Sequence, residues 1–393
     1  MDKLIYLDNG ATTFPKPDEV YRAMDYSYRN FGVNPGRSGY DLCMMAGNIV
    51  EETRKLLTEF FNGTDPNRLV FGYNATDALN IAIFGLLKEG DHAISTTIEH
   101  NSVLRPLYHC WKDQNIEVDY VPFDDKGFVD PNDIAAKMKP NTRLVVVNHA
   151  SNVIGTVQPI AEIGRLCRNR EIPFVIDASQ TAGKIPIDME KMNIDVVAFT
   201  GHKSLMGPMG IGGLCVRDGI DIRHTRAGGT GVRSAVRTHL DEYPYRLEYG
   251  TTNLPGIAGL NAGLKWLAKK GVENIHDFEK KLLNQLRDGL QEIEGVSLYC
   301  QDDLADHIGV LAFNIDGLEA LHAGTMLDVD FNIASRTGLH CAPLVHAQLG
   351  TDKIHGTVRF GIGPFNTEDE INTAIGAVRE IVLTTKQIGA RKS

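Results

Sequence analysis

The chain has 393 residues, 42% hydrophobic and 23% charged, which is ordinary for a globular protein and long enough for two cores. Lysine and arginine number 40 against 50 aspartates and glutamates, and the formal net charge of −10 argues against nucleic acid or an anionic membrane as the main partner. No apolar run approaches the roughly 20 residues that span a bilayer, and the opening MDKLIYLDNGATTFPKP carries no apolar signal core, so a cytoplasmic location is expected.

In chain order, RLVFGY (68–73) is a short strand, and ATDALNIAIFGLLKEG (75–90) repeats its apolar residues at helical spacing before ending in glycine. DHAISTTIEHNS (91–102) reads as a strand running into a helix start. EVDYVPF (117–123) and RLVVVNHAS (143–151), with its apolar LVVV, are further strands. IAEIGRLCRNREI (160–172) is a helix, and PFVIDAS (173–179), DVVAFTG (195–201) and GIGGLCVR (210–217) complete the strand set. Continuous β-branched runs separated by helices predict a mostly parallel sheet covered on both faces. From about Asn253 the pattern changes to two long helices (256–271, 275–293), the strands VSLYC, IGVLAFNI and TVRFGIG, and a closing helix. The expected organisation is an α/β domain over 16–252 and a smaller α+β domain built from 1–15 and 253–393.

In such a sheet the ligand lies beyond the carboxyl ends of the strands, and polar residues collect there. Ala75 and Thr76 open a helix whose free N–H groups suit a phosphate. His100 offers a flat ring, Asp177 a buried carboxylate, Asn152 an amide, and Lys203 an amine just after a buried strand, beside Thr200 and His202. Singly each has an ordinary reading: Thr76 as an N-cap, Asp177 as a turn cap, His100 as a rim histidine and Lys203 as a solvated amine. Together they meet the demands of pyridoxal 5'-phosphate: a helix tip for the phosphate, a ring face, a carboxylate for the pyridine nitrogen and an amine for the aldehyde.

The chain resembles the class V, fold-type I pyridoxal-phosphate enzymes of the cysteine desulfurase and selenocysteine lyase group. The motifs YLDNGATT, NATDALNIAI, EHNSVLRP, SNVIGTVQPI, VIDASQTAGKIPID, FTGHKSLMGPMGIG, EYGTTNLPGIAGL, RTGLHCAPLVH and VRFGIGPFNTEDEI carry the resemblance over nearly the whole chain. It implies that Lys203 is the Schiff-base lysine, that Asp177 pairs with the pyridinium, that His100 stacks on the ring, and that Gln180 and Asn152 lie near its phenolic oxygen. It also implies that Ala75, Thr76, Thr200 and His202 hold the phosphate, with Thr251 completing that site in a neighbouring subunit, hence a homodimer. Arg359, with Asn152 nearby, would bind the substrate carboxylate.

Six cysteines (Cys43, Cys110, Cys167, Cys215, Cys300 and Cys341) stand without a C-x-x-C pair, so neither zinc nor a disulfide framework is signalled and no metal is expected. The resemblance places the Cys341 loop over the cofactor, where its thiolate would take sulfur from L-cysteine as a persulfide and release L-alanine. His340 beside it either faces that thiol or points elsewhere. The short loop resembles the second group of desulfurases and the selenocysteine lyases, although HCAPLVH differs from the HCAQP-like form of sulfur-assembly enzymes. Other readings are a selenocysteine lyase acting on L-selenocysteine, a cysteine or cystine C–S lyase, and an epimerase or aminotransferase, the last two disfavoured by Cys341. A non-catalytic scaffold, or a nucleotide-binding protein using GPMGIGG as a phosphate loop, is the reading from another class, though the glycine spacing matches neither common phosphate loop. A sulfur-acceptor protein would be the further partner of a desulfurase.

Overall fold

The buried apolar runs of the first 217 residues assemble into one seven-stranded sheet. The computed structural model describes residues 4–35, 39–300 and 302–390. The ends of the expected smaller domain, 1–3 and 391–393, lie outside the described residues. After β1 (Ile5–Tyr6), α1 (Asp18–Phe31) and α2 (Asp41–Phe60), the chain lays down β2 (Leu69–Gly72), α3 (Ala75–Leu86), β3 (His92–Thr96), α4 (Asn101–Gln114) and β4 (Glu117–Val121). It continues through α5 (Pro131–Lys137), β5 (Thr142–Asn148), α6 (Ile160–Asn169), β6 (Phe174–Asp177), β7 (Val196–Thr200) and β8 (Gly212–Val216).

The spatial order is β2-β8-β7-β6-β5-β3-β4. Strands β7, β6, β5, β3 and β4 run parallel, whereas β8 is antiparallel to both its neighbours. The cause is the connection: residues 201–211 are too few for the crossover of about a dozen or more that a parallel return needs. Val145, Val146 and Val147 of β5 and Phe174, Val175 and Ile176 of β6 have no exposed surface, as expected for strands covered on both faces. Gly212 and Gly213 lie inside β8, and a Cβ on Gly213 would sit 2.0 Å from the Val70 carbonyl oxygen of β2. The glycine run therefore serves strand packing, and the phosphate-loop reading of GPMGIGG falls.

The second half adds α7 (Leu254–Lys270), α8 (Val272–Gln291), β9 (Val296–Leu298), β10 (Val310–Ile315), α9 (Ala320–Phe331), β11 (Ile333–Ala334), β12 (Arg336–Gly338), α10 (Pro343–Leu349), β13 (Thr357–Gly361) and α11 (Glu368–Ala390). Strands β12-β13-β10-β9 form an antiparallel sheet, and β1 pairs in parallel with β11. A separate core forms here from Leu282, Leu286, Phe313, Phe360 and Ile371, together with Leu7 from the start of the chain. Helix α7 packs instead on α1 and α2, and its Ile257, Leu260 and Leu264 join the core under the seven-stranded sheet.

No helix among the described residues is long and apolar enough to cross a membrane. Among those residues there is no disulfide and no cluster of His, Cys, Asp or Glu suited to a metal ion.

Candidate active site

A cavity of about 230 Å³ opens at the carboxyl ends of β5, β6 and β7. Ten residues singled out in the sequence line it: Ala75, Thr76, His100, Asn152, Asp177, Gln180, Thr200, His202, Lys203 and Arg359. Cys341 lies at its edge, half-buried, directly after the lining residue His340. Thr251 is apart from it, in an exposed loop bordering a separate groove with Asp77 and Asn253.

Strand ends place the chemistry. Asp177 is the last residue of β6, and its Oδ1 accepts from the Ser179 backbone N–H at 2.9 Å and from the Ser179 hydroxyl. With only 2% of its surface exposed, the carboxylate faces a protein environment rather than bulk water. Lys203 follows β7 by three residues. Burial pushes its amine down from 10.5 to about 8, the Asp177 carboxylate opposes that fall, and Arg359 and Arg336 add to it. Part of the side chain still meets the cavity, so the burial is enclosure by the walls.

His100 is the N-cap of α4. Its Nδ1 accepts from the Ser102 N–H at 3.0 Å, which leaves the ring proton on Nε2, and the Ser102 hydroxyl lies 2.8 Å from Nδ1 and 2.7 Å from Thr76 Oγ1. Burial, then the neighbouring lysine charge, holds this imidazole neutral, pushed down to about 4. Thr76 and Ala75 begin α3, whose N-cap Asn74 accepts from Asp77 N–H at 3.0 Å, so the first-turn N–H groups of the helix are presented at the cavity wall.

The opposite wall comes from the two chain ends. Arg359, in β13, is 1% exposed; it donates through Nη1 to the Asn152 carbonyl at 2.9 Å and pairs through Nη2 with Asp8 at 2.8 Å. A Cβ on Gly10 would lie 3.2 Å from the Arg359 guanidinium carbon, so a glycine is what lets the backbone pass over it. Gln180 donates to the Gly10 carbonyl at 2.9 Å. The His202 carbonyl collects three donors from the same segment: Thr12 Oγ1 at 3.0 Å, Thr13 N–H at 3.2 Å and the Lys16 amine. That carbonyl belongs to the peptide bond immediately before Lys203.

Sequence reasoning missed Asp8, Ser102, Ser179 and Arg336. Ser179 and Ser102, each two residues from a residue already singled out, were open to detection as Asx- and cap-type partners; Asp8 and Arg336 had no local signal. His340 points away from the cysteine: its Nε2 bonds the Thr357 carbonyl at 3.1 Å and hydroxyl at 3.0 Å, and burial keeps the ring neutral.

The aminotransferase class-V family matches residues 5–373. A probable cysteine desulfurase of Pyrococcus abyssi is 35% identical over 97% of this chain and 94% of its own length. One from Methanothermobacter thermautotrophicus is 32% identical over 96% and 94%. Among solved structures, the apo cysteine desulfurase of Thermococcus onnurineus superposes with a TM-score of 0.88 at 34% identity, covering 97% of this chain and 95% of that one. The S-sulfonic acid form of the Escherichia coli cysteine desulfurase CsdA gives 0.87 at 27% identity, with coverage of 97% and 95%.

Proposed function

The chain belongs to the aminotransferase class-V family, and from that premise we propose that it is a pyridoxal-phosphate-dependent cysteine desulfurase, converting L-cysteine to L-alanine and a sulfur held on Cys341. The observation that carries this reading is the amine of Lys203, lowered to about 8, sharing one cavity with the buried Asp177 carboxylate and the start of α3. The cavity suits the cofactor: Thr200 and Asn152 line it, and each keeps a buried side-chain oxygen with no partner among the described residues. When bound, pyridoxal phosphate supplies an electron-withdrawing ring that takes up charge as bonds at the substrate α-carbon break.

The remaining work falls to side chains. The start of α3 (Ala75, Thr76), with Thr200 and His202, holds the phosphate oxygens. Asp177 would keep a proton on the ring nitrogen, and the neutral His100 ring would lie against the ring face. Gln180 and Asn152 would stand near the phenolic oxygen. Lys203 would hold the cofactor through its aldehyde, and its free amine would carry the proton from the substrate α-carbon. Arg359, poised by Asp8, binds the substrate carboxylate as a charge-assisted pair. Thr251 stands away from its own cavity, which supports a homodimer in which it reaches the partner's phosphate site. The expected division at 252 cuts ahead of α7, which packs with the large-sheet core, so α7 goes with the larger domain; a sulfur-acceptor protein and a cytoplasmic, reducing location belong to the same reading.

Supplying L-cysteine with a thiol reductant to the purified, cofactor-loaded protein tests the reaction: the reductant releases the Cys341 persulfide as sulfide, alanine and sulfide in equal amounts are expected, and pyruvate with ammonia would make it a C–S lyase instead. Arg359→Lys, which keeps the charge and loses the planar fork, raises KM for L-cysteine about 10–100-fold, the worth of a hydrogen bond to a charged group. Steady-state kinetics checks it. The lowered amine also sets a pH expectation. A lysine whose proton is released near 8 is neutral and reactive above that pH, so cofactor attachment to the apoprotein speeds up through an inflection near pH 8 and levels off before 10.5. Absorbance-monitored attachment rates across pH 6–10 measure it, and a rise continuing to the ordinary lysine value would contradict the enclosed site.

A further inference from the structure

Arg336 opens β12 directly opposite Arg359 of β13 in the antiparallel register, and its side chain lines the cavity. Two guanidinium groups so placed need anions. Arg359 has Asp8 at 2.8 Å, whereas Arg336 has no carboxylate partner among the described residues. Its hydrogen-bond partner there is Cys341 Sγ, 3.5 Å from Nη2. A half-buried guanidinium carries five donors and a permanent charge, and sulfur is what it faces.

The cysteine is held to that contact by its backbone. His340 and Cys341 both take left-handed conformations, with φ of 47° and 59°. The Cys341 carbonyl accepts from the Asn101 N–H at 2.7 Å, and the His340 carbonyl accepts from Asn152 Nδ2 at 2.6 Å. With His340 bonded to Thr357 and neutral, two cations act on the thiol: Arg336, in direct contact with it, and Arg359, close enough to feel its charge but paired with Asp8.

We propose that Arg336 is a catalytic residue that binds sulfur rather than substrate carboxylate: its guanidinium holds the negative charge on Cys341 Sγ before transfer and on the outer sulfur of the persulfide afterwards. This rests on the reading of Cys341 as the sulfur acceptor. The step balances without an outside oxidant or reductant. The Cys341 sulfur donates an electron pair to the substrate sulfur, the S–S bond forms, and the Cβ–S bond breaks with its pair passing to Cβ. Cβ is reduced and takes up the proton given up by the substrate thiol to become the alanine methyl, while the transferred sulfur is oxidised to the sulfane level and ends as the persulfide anion. Negative charge thus begins on Cys341 Sγ and ends on the outer sulfur, beside Arg336 at both ends of the step.

The test compares wild-type holoenzyme with Arg336→Met and Arg336→Lys. Iodoacetamide alkylation of Cys341, followed at one pH by peptide mass mapping, is expected to slow about tenfold in Arg336→Met and to recover partly in Arg336→Lys, the worth of a partly solvated charge contact. KM for L-cysteine stays within about twofold of wild type, since Arg359 keeps the carboxylate. Unchanged alkylation in both variants, or a KM rise matching that of Arg359→Lys, would overturn the assignment. Thermal midpoints separate misfolding from loss of the contact, and Arg336→Lys, which keeps a cation on the same strand, holds the test open if Arg336→Met does not fold. Alkylation needs no turnover, so a slowed variant in a protein that makes no alanine would sink the desulfurase reading and leave the contact standing.

Discussion

Lys203→Ala is expected to lower kcat for alanine formation by at least about 10³-fold, the largest effect of any single substitution in the chain. Two losses combine. The amine proposed to hold the aldehyde carbon disappears, and with it the group proposed to move the α-carbon proton. Neither has a substitute in the cavity: His100 and His202 are both neutral, pushed to about 4 by burial, and the amine of Lys16 is committed to the His202 carbonyl. Borohydride treatment followed by mass spectrometry gives a second readout. The wild type retains cofactor on the peptide containing Lys203, and the variant retains none. A variant still carrying the adduct at another lysine would place the reactive amine elsewhere.

Cys341→Ser has the second largest effect, a loss on the order of 10³-fold in alanine release from L-cysteine, because a hydroxyl cannot accept the sulfur. Here the site itself stays intact. Cysteine binding, followed as a change in cofactor absorbance, persists at wild-type affinity, since Arg359 and Asn152 are untouched. Sulfur recovered on the protein falls to background. Equal alanine release by the two proteins would remove Cys341 from the reaction, and pyruvate in place of alanine would shift the reading toward direct elimination.

The two substitutions differ in how legible their targets were. Lys203, Asp177 and Thr200 follow or end buried strands whose β-branched runs are unambiguous, so a local pattern places them at one rim. Helices α1 and α2 left a weaker mark. The first buries only Val20, Ser27 and Phe31, and the second turns the charged Arg54 inward against Glu248, which reads as a polar surface position. The reversal of β8 was written in the shortness of 201–211, a matter of chain length rather than hydropathy. Asp8 and Arg336 were beyond any local pattern. The first matters through a residue 351 positions away, and the second through the register of β12 on β13. Nor did side-chain direction follow from adjacency: His340 neighbours Cys341 in sequence, yet its ring turns to Thr357.

The triple grip on the His202 carbonyl, together with the Asp8–Arg359 pair, has an implication for how the enzyme comes alive. During synthesis the opening segment leaves the ribosome early, but its ligand-shaping contacts wait first for residue 202 and then for residue 359. Competence is therefore a late event, gated by loop closures of 190 and 351 residues. A stalled or prematurely terminated product would hold Lys203 yet lack Arg359, the proposed carboxylate anchor, so quality control by completion is written into the topology.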